Sequence, residues 1–376
     1  MPGLKRLVLL GGGHSHVEVI RRFGRQRLTD TAIKLISPDR HTAYSGMLPG
    51  YVAGHYRFSD CHIDLASLCS AAGISFHRAE ASGLRPDDSR VMCSDGNVVE
   101  YDVLSIDIGS TPDVHAIPGA LHHGTCVKPV AEFLRVWDRI RGEMRAGNST
   151  SLAFVGGGAG AVELAAAVQH RAATEASASA VRIVLLTDTA SILPTHPERV
   201  QRIFERALAA RNIGIRNAAK VVRVSPAGIQ CADGSLVQAD HAIIATGASA
   251  PTWIAGTGLN IDARGFVAVN PYLQSVSHAN VFAAGDIATM SDNPRPKMGV
   301  YAVRQGPVLH ANLRCALHGE LLQRYIPQKY ALALISTGDK HAVASWNGIA
   351  FEGDWVWRWK DHIDRRFMAT YRVPFA

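Results

Sequence analysis

Two rhythms of apolar residues alternate along this chain: short continuous runs, and positions spaced three to four apart. Residues 6–10 form a short run that stops at Gly11-Gly12-Gly13. Residues 14–27 then set Val17, Ile20 and Phe23 on one face, and residues 32–37 form a second run. Unbroken apolar runs mark strands covered on both faces, and the wider spacing marks an amphipathic helix. The pattern therefore predicts a strand, a glycine turn, a helix and a second strand at the start. Short strands follow at 75–81, Arg90–Cys93 and 98–106, the last two folded back around Ser94-Asp95-Gly96-Asn97. Residues 103–110 run into a Gly-Ser-Thr-Pro turn, and a helix over Val130–Arg145 closes this region.

The same order then begins again. Residues 152–155 form a run, Gly156-Gly157-Gly158 a turn, 162–172 a helix and 182–186 a second run. A helix over 198–211, a strand pair at 221–224 and 228–232, and a run at 242–245 ending in Thr246-Gly247-Ala248 complete the second copy. The Ala/Ser-rich stretch 172–180 reads as a helix end and a loop. The halves are thus copies of one plan, a repeat at domain scale. After residue 260 the pattern gives a strand and loop ending in Ala284-Gly285-Asp286, then a helix over 298–317. A hairpin of 330–336 with 341–346 turns around Gly338-Asp339-Lys340. A strand carrying Trp355, Trp357 and Trp359 and an amphipathic helix over 360–371 end the chain.

Composition narrows the class. In 376 residues, 47% hydrophobic, there is enough apolar material for two or three packed domains. The net charge of +7 is spread thinly, without a dense basic stripe or a recognised nucleic-acid module, so no nucleic-acid partner is expected. Cys61, Cys69, Cys93, Cys126, Cys231 and Cys315 form no C-x-x-C or C-x4-C pair, which suits reduced core cysteines of a cytoplasmic protein. No leader and no membrane span are expected, because Lys5 and Arg6 lead straight into a strand and no apolar stretch is long enough. No metal site is expected.

The glycine turns carry the chemistry. Glycine permits the tight strand-to-helix turn and lets backbone approach a pyrophosphate lying on the helix N-terminus. The first turn, Gly11-x-Gly13-x-x-His16, departs from the pattern at its third position. It also has Ser37 where an acidic ribose ligand is expected, with Asp39 as a substitute two residues on. The second, Gly156-x-Gly158-x-x-Ala161, fits the variant ending in alanine, and Glu163 follows inside the helix. Thr187 and Asp188 stand behind its second strand. An acid there selects NAD and an arginine NADP. Thr187 does neither strongly, so NADH and NADPH both stay open, with the absence of a nearby Arg favouring NADH.

Two such folds in series, with Thr246-Gly247-Ala248 and the late Ala284-Gly285-Asp286, resemble the two-dinucleotide-binding-domain flavoproteins. The resemblance covers nearly the whole chain. It implies an α/β fold with two Rossmann-like domains, each a three-layer ββα unit. An FAD domain of residues 1–115 and 262–325 is interrupted by an NAD(P)H domain of 116–261, and a small α+β region, 326–376, follows. It assigns Gly11, Gly13, His14, Ser15, Ser37 and Asp39 to FAD, together with Met47, Ala81, Gly109, Gly285, Asp286 and Ala302. It assigns Gly156, Gly158, Ala161, Glu163, Thr187 and Gly247 to NAD(P)H. Asp286 is expected to bind a ribitol hydroxyl; taken alone it would equally suit a helix cap. Lys297, beside the N-terminus of the next helix, is expected to stabilise negative charge on a reduced flavin. A solvated lysine at a helix start is the other reading.

Within that superfamily the chain is most similar to type II NADH dehydrogenases and sulfide:quinone oxidoreductases. Residues 299–306, Gly-Val-Tyr-Ala-Val-Arg-Gln-Gly, resemble the quinone-pocket helix of those dehydrogenases, with Val300 and Arg304 where they have glutamines. Residues 44–50, 303–307 and 360–365 resemble more narrowly a pyridine-nucleotide oxidoreductase-like subgroup associated with selenide, water dikinase, which implies a functional link to that enzyme. The disulfide reductases of the superfamily carry C-x4-C near residues 44–49, where this chain has Ser45 and Met47, so no local dithiol takes electrons.

The reaction implied is hydride transfer from NAD(P)H, with its nicotinamide near Glu163, to FAD, and then to a quinone-like or other small acceptor. Two rivals are a sulfur or selenium oxidoreductase using Cys126, and a flavin-binding sensor without turnover. The end of the chain has two readings. Ile363, Phe367 and Tyr371 with nearby Arg and Trp suit peripheral contact with the cytoplasmic face of the inner membrane. Packing over the flavin domain is the alternative, and it is favoured because the helix is short. A homodimer is compatible with this reading.

Overall fold

The computed structural model describes residues 3–175 and 181–373. Strand β1 (Lys5–Leu10) leads through helix α1 (His14–Arg25) to β2 (Thr31–Ile36), with β3 (Ser75–His77) and β4 (Val103–Ile106) after it. Next come β5 (Gly124–Cys126), α2 (Val130–Arg145), β6 (Thr150–Val155), α3 (Ala159–Glu175), β7 (Val181–Leu186), α4 (Glu198–Ala209), β8 (Ile213–Arg216) and β9 (His241–Ile244). The chain then returns through β10 (Val281–Ala283) and α5 (Gly299–His318). It ends with β11 (Ala333–Ser336), β12 (Ala342–Trp346), β13 (Ile349–Gly353) and α6 (Asp354–Thr370).

The two expected copies are two five-stranded parallel sheets, in the orders β10-β4-β1-β2-β3 and β5-β9-β6-β7-β8. In each, the central strand runs directly into a glycine turn and a helix. That places both turns at the carboxyl ends of strands, where open α/β sheets bind ligands. The runs read as continuous apolar strands are buried for that reason: Leu7–Leu10 on β1 and Leu152–Val155 on β6 have sheet neighbours on both sides, helices over one face and a three-stranded antiparallel sheet over the other.

Three expectations are corrected. The single strand at 75–81 is two, β3 and Ala81–Arg85, which join different sheets. The strand 98–106 likewise divides into Val98–Glu100 and β4. The Trp-rich strand does not exist: Trp355, Trp357 and Trp359 lie in α6. Their alternation suggests a period of two, but the buried positions are Val356, Lys360, Asp364 and Met368, a period of four. The helix forms because β11–β13 offer that stripe a surface, where Val356 packs with Ala342 and Ala344. The alanine-rich α3 ends at Glu175, within the stretch read as a helix end and a loop, and 176–180 lie outside the described residues.

The cores join the parts. Ala161, Ala165, Ala166 and Ala172 of α3 share one apolar cluster with Leu48 and Val52, and with Ile335 and Val343 of the hairpin. Alanine lets these elements approach closely. The hairpin turn at Gly338 sits against Ala166, where an added Cβ would lie 2.3 Å from the Ala166 carbonyl oxygen. No helix among the described residues is long and apolar enough to cross a membrane.

Candidate dinucleotide sites and active centre

A cleft of about 770 Å³ opens along the carboxyl ends of the first sheet. It runs from Ile36, Ser37, Asp39 and Ala81 past Gly11, Gly13 and His14 to Gly109, Asp286, Lys297 and Ala302. Most of the residues assigned to FAD therefore share one wall-to-wall space, of the size range of cofactor pockets. Met47 does not line it: it is fully buried in the apolar cluster that also holds Leu7 and Leu9, and Ser45 takes the lining position. Ser15 is buried beneath the cleft, its hydroxyl donating to the Ala302 carbonyl at 2.8 Å. Gly285 borders a smaller cavity next door, its N–H donating to Gln305 Oε1 at 2.7 Å.

The departure at His16 is explained by packing. Its ring is fully buried, with Nδ1 2.6 Å from the Gly11 carbonyl and Nε2 2.8 Å from Ser105 Oγ. Where a glycine would hold helix against sheet by lacking a side chain, the imidazole ties them together by bridging turn and β4. Burial pushes its pKa down to about 4, so it is held neutral. His14 is also pushed down to about 4 by burial, and its Nε2 is a buried polar atom without a hydrogen-bond partner among the described residues. A buried unpaired polar atom is costly, and in a cleft it marks a place where a ligand supplies the partner.

Asp107, which the sequence reading passed over, occupies the N-terminal end of α1. Its Oδ2 accepts the N–H groups of Ser15 at 2.8 Å and His16 at 3.1 Å. A Cβ on Gly13 would lie 2.2 Å from this carboxyl and one on Gly285 2.4 Å from it, so both glycines are required by the aspartate. Burial pushes the Asp107 carboxyl up to about 7, against the pull of the two N–H groups and helped by the charge of Asp286.

Asp286 lines the cleft with a cation beside it. Lys128 Nζ lies 2.9 Å and Ser110 Oγ 3.0 Å from its Oδ2, and Lys128 also donates to Ser110 at 3.1 Å. Burial alone would raise the Asp286 pKa; Lys128 and Ser110 outweigh it and hold the group below the ordinary carboxylate range. Lys297 lines the same space. Its ammonium donates to the Ala288 carbonyl at 2.5 Å and lies 3.9 Å from the centroid of Phe266. Burial pulls it down to about 8 against Asp286 and Asp262. Lys297 is thus a held, partly desolvated cation, not a solvated helix-start residue.

At the far end α6 closes over the turn that replaces the redox cysteines. Phe367 stacks on Tyr44, with centroids 4.3 Å apart and planes at 26°. Lys360 Nζ donates to the Gly46 carbonyl at 2.5 Å and pairs with Asp364 at 2.6 Å, both side chains buried. Glu163, reaching out of α3, faces this pair. Its Oε1 accepts the Ser336 N–H at 2.8 Å. Burial pushes its carboxyl up to about 7, Lys360 and the Ser336 N–H pull it back, and Asp364 adds to the rise.

The second turn is open where the first is filled. Gly158 and Gly247 are exposed, with nothing within 4 Å of where a Cβ would stand. Gly156 adopts φ +131° against the Ala245 carbonyl, and a Cβ on Gly157 would lie 2.3 Å from Thr187 Oγ1. Thr187 is buried and its hydroxyl is 2.7 Å from that of Thr189, while Asp188 is exposed. Ala161 is buried under the helix start.

These residues fit the two groups expected of them. A cradle without room for a Cβ, an unpartnered imidazole nitrogen and a carboxylate–lysine–hydroxyl cluster suit the phosphates and hydroxyls of FAD. The helix start, exposed at Gly158 and Gly160, suits the phosphates of NAD(P)H. A sulfur centre has less to stand on. All six cysteines are free, none of the described residues lining the cleft is a cysteine, and burial raises the Cys126 and Cys315 thiols away from the reactive thiolate. Lys128, Ser110, Lys360 and Asp364 were not singled out as site residues from sequence. Asp107 had a visible signal, an acid inside the stretch from Val103 to Ile108, which apart from Ser105 is otherwise apolar.

A family model described as "Pyridine nucleotide-disulphide oxidoreductase" matches residues 5–306. Among curated proteins, the NADH dehydrogenase-like protein YutJ of Bacillus subtilis (strain 168) is 23% identical over 326 residues, covering 86% of this chain and 87% of that protein. Demethylphylloquinone reductase NdbB of Synechocystis sp. is 23% identical over 385 residues, covering 98% and 92%. Among solved structures, the sulfide:quinone oxidoreductase of Aquifex aeolicus superposes with a TM-score of 0.80 at 20% identity, covering 98% of this chain and 91% of that one. NDH2 of Plasmodium falciparum in complex with NADH does so with a TM-score of 0.77 at 15% identity, covering 99% of each.

Proposed function

This chain belongs to the pyridine nucleotide-disulphide oxidoreductase family, and on that premise we propose that it is an FAD-dependent NAD(P)H dehydrogenase passing two electrons to a quinone-like acceptor. The observation that carries the reading is the pair of parallel sheets, each opening through a glycine turn at a helix N-terminus, with no cysteine pair at residues 44–49. The names of the Synechocystis and Bacillus relatives support an NADH-type donor and a quinone acceptor.

FAD supplies the hydride-accepting chemistry when bound, so no protein side chain has to change redox state. The side chains bind, orient and manage charge. Gly11, Gly13, His14 and Asp107 would hold the phosphate side, and Asp286 with Lys128 and Ser110 the ribityl hydroxyls. Lys297, held by the Ala288 carbonyl, places a positive charge by the cleft where negative charge develops. Phe367 stacked on Tyr44 holds α6 against the turn at residues 44–49. Glu163, poised near neutrality between Ser336 N–H and Lys360, can keep or release a proton at its carboxyl as the charge of the site changes. Gly156, Gly158 and Ala161 would receive the NAD(P)H phosphates, with Glu163 two residues further along the same helix.

Two finer readings go with this. The strings 44–50 and 360–365 meet in space through Lys360 and Gly46, which supports reading them as one feature of the subgroup associated with selenide, water dikinase. The outer face of α6 and β13 exposes Phe351, Trp355, Trp359 and Ile363 beside Arg358 and Arg366, which supports peripheral contact with an anionic membrane surface on the cytoplasmic side. Phe367 and Met368 on the other side join the apolar cluster around β1 and α1, which supports the packing reading of the same helix.

The deciding experiment is anaerobic titration of the purified protein with NADH and separately with NADPH, followed by a soluble quinone. Bleaching of the flavin absorption and its return on adding quinone are expected. A flavin bleached by neither nucleotide removes the dehydrogenase reading, and bleaching by sulfide that depends on Cys126 replaces it with the sulfur one.

A further inference from the structure

A glycine-rich turn attracts phosphate because the first N–H groups of the helix are unpaired and carry the positive end of its dipole. In this chain two of those groups are already taken. Ser15 N–H and His16 N–H both donate to Oδ2 of Asp107, a side chain only 2% exposed. The carboxyl is wedged between the two glycine segments that would face the phosphates, with room made for it at Gly13 and Gly285. As an anion, Asp107 would spend the helix dipole on itself and present a fixed negative charge to a dianionic ligand. A second carboxylate, Asp286, stands on the same side. As the neutral acid it keeps the acceptor for both N–H groups at Oδ2 and gains an O–H to donate.

We propose that the carboxyl of Asp107 is a ligand of the flavin pyrophosphate that binds as the neutral acid, so that each FAD bound carries one proton into the protein. This rests on the flavin reading above. The proton comes from solvent and stays on Asp107, where it is donated to a phosphate oxygen. The other groups facing Asp107 do not supply it. On α1, Ser15 carries a hydroxyl, and His16 is held neutral with both ring nitrogens engaged on Gly11 and Ser105. From the turn after β10, Asp286 is held ionised by Lys128. His14 faces Asp286 and Lys128 and is itself pushed well below neutrality. Asp107 is the member of this group placed to gain a proton near neutral pH, burial having brought it up to about 7.

The test uses full-length apoprotein and FAD. Calorimetric titration of the unsubstituted chain at about pH 8, in buffers of different ionisation enthalpy, is expected to show close to one proton taken up per FAD. Above about pH 7 the Kd should rise by roughly tenfold per pH unit. In Asp107→Asn, which keeps an acceptor and a donor without charge, that slope should vanish and binding at high pH should be tighter than in the parent. Uptake of FAD without a proton overturns this inference and leaves the flavin reading intact, as does an unchanged slope in the asparagine variant. An apoprotein that takes no FAD at any pH overturns both. The calorimetric arm needs no variant, so a misfolded Asp107→Asn does not shield the idea.

Discussion

Lys360→Met is the substitution that most directly tests how the end of the chain is locked onto the active centre. Methionine keeps the length and much of the apolar stem of lysine and removes the ammonium. In the native chain that ammonium donates to the Gly46 carbonyl and pairs with Asp364 at 2.6 Å, and both side chains are 10% exposed or less. Removing it leaves Asp364 as a buried carboxylate without its cation. Breaking a buried pair on one side costs about 3–5 kcal/mol, most of it the desolvation of the remaining charge. For a chain of this size that corresponds to a fall in Tm of roughly 4–6 °C. The assay is urea and thermal unfolding of the holoprotein, followed by far-ultraviolet circular dichroism and by flavin fluorescence. The double variant Lys360→Met/Asp364→Asn should recover most of the loss, because neither partner is then charged. A single variant within about 1 kcal/mol of the parent, or a double variant worse than the single, would refute the argument.

Glu163 should respond to the same change: without Lys360 its carboxyl is expected to rise above about 7, and the pH profile of flavin reduction by NADH should shift upward with it. His16 gives a pH prediction with a definite sign. Its folded pKa of about 4 lies below the unfolded 6.5, so the stability it contributes is present above pH 6.5 and is lost as pH falls towards 4. At about 1.4 kcal/mol per unit this amounts to roughly 3 kcal/mol, and His16→Gln should remove that part of the acid slope in urea titrations at stepped pH. Gly13→Ala puts a methyl 2.2 Å from the Asp107 carboxyl and should cost about 1–3 kcal/mol together with FAD retention, read by unfolding and by flavin content after gel filtration. Trp355→Ser with Trp359→Ser touches only the outer face of α6, so stability should stay within about 0.5 kcal/mol while sedimentation with anionic vesicles falls; unchanged sedimentation argues against a membrane role for that face.

The fold was legible where its causes are local. The periods of apolar residues and the two glycine turns are set by backbone geometry within about thirty residues, and they placed both sheets, both phosphate turns and helix Val130–Arg145. They failed where a local pattern had two solutions. Trp355, Trp357 and Trp359 alternate like a strand, and only the surface offered by β11–β13 makes them a helix. Glu163 was chosen for its place after the second turn, but its partner Ser336 lies 173 residues away.

What the sequence determined alone is that two dinucleotides are bound and that no dithiol stands between them. What only the tertiary structure decided is how charge is arranged around them. Lys128 and Asp286 are 158 residues apart, Asp107 and Ser15 92, and Lys360 and Gly46 314. A strand or a glycine turn is specified by neighbours in the chain. The protonation state of Asp107, Glu163 or Lys297 is specified by burial and by charges that arrive from elsewhere, and those exist only once the chain has folded.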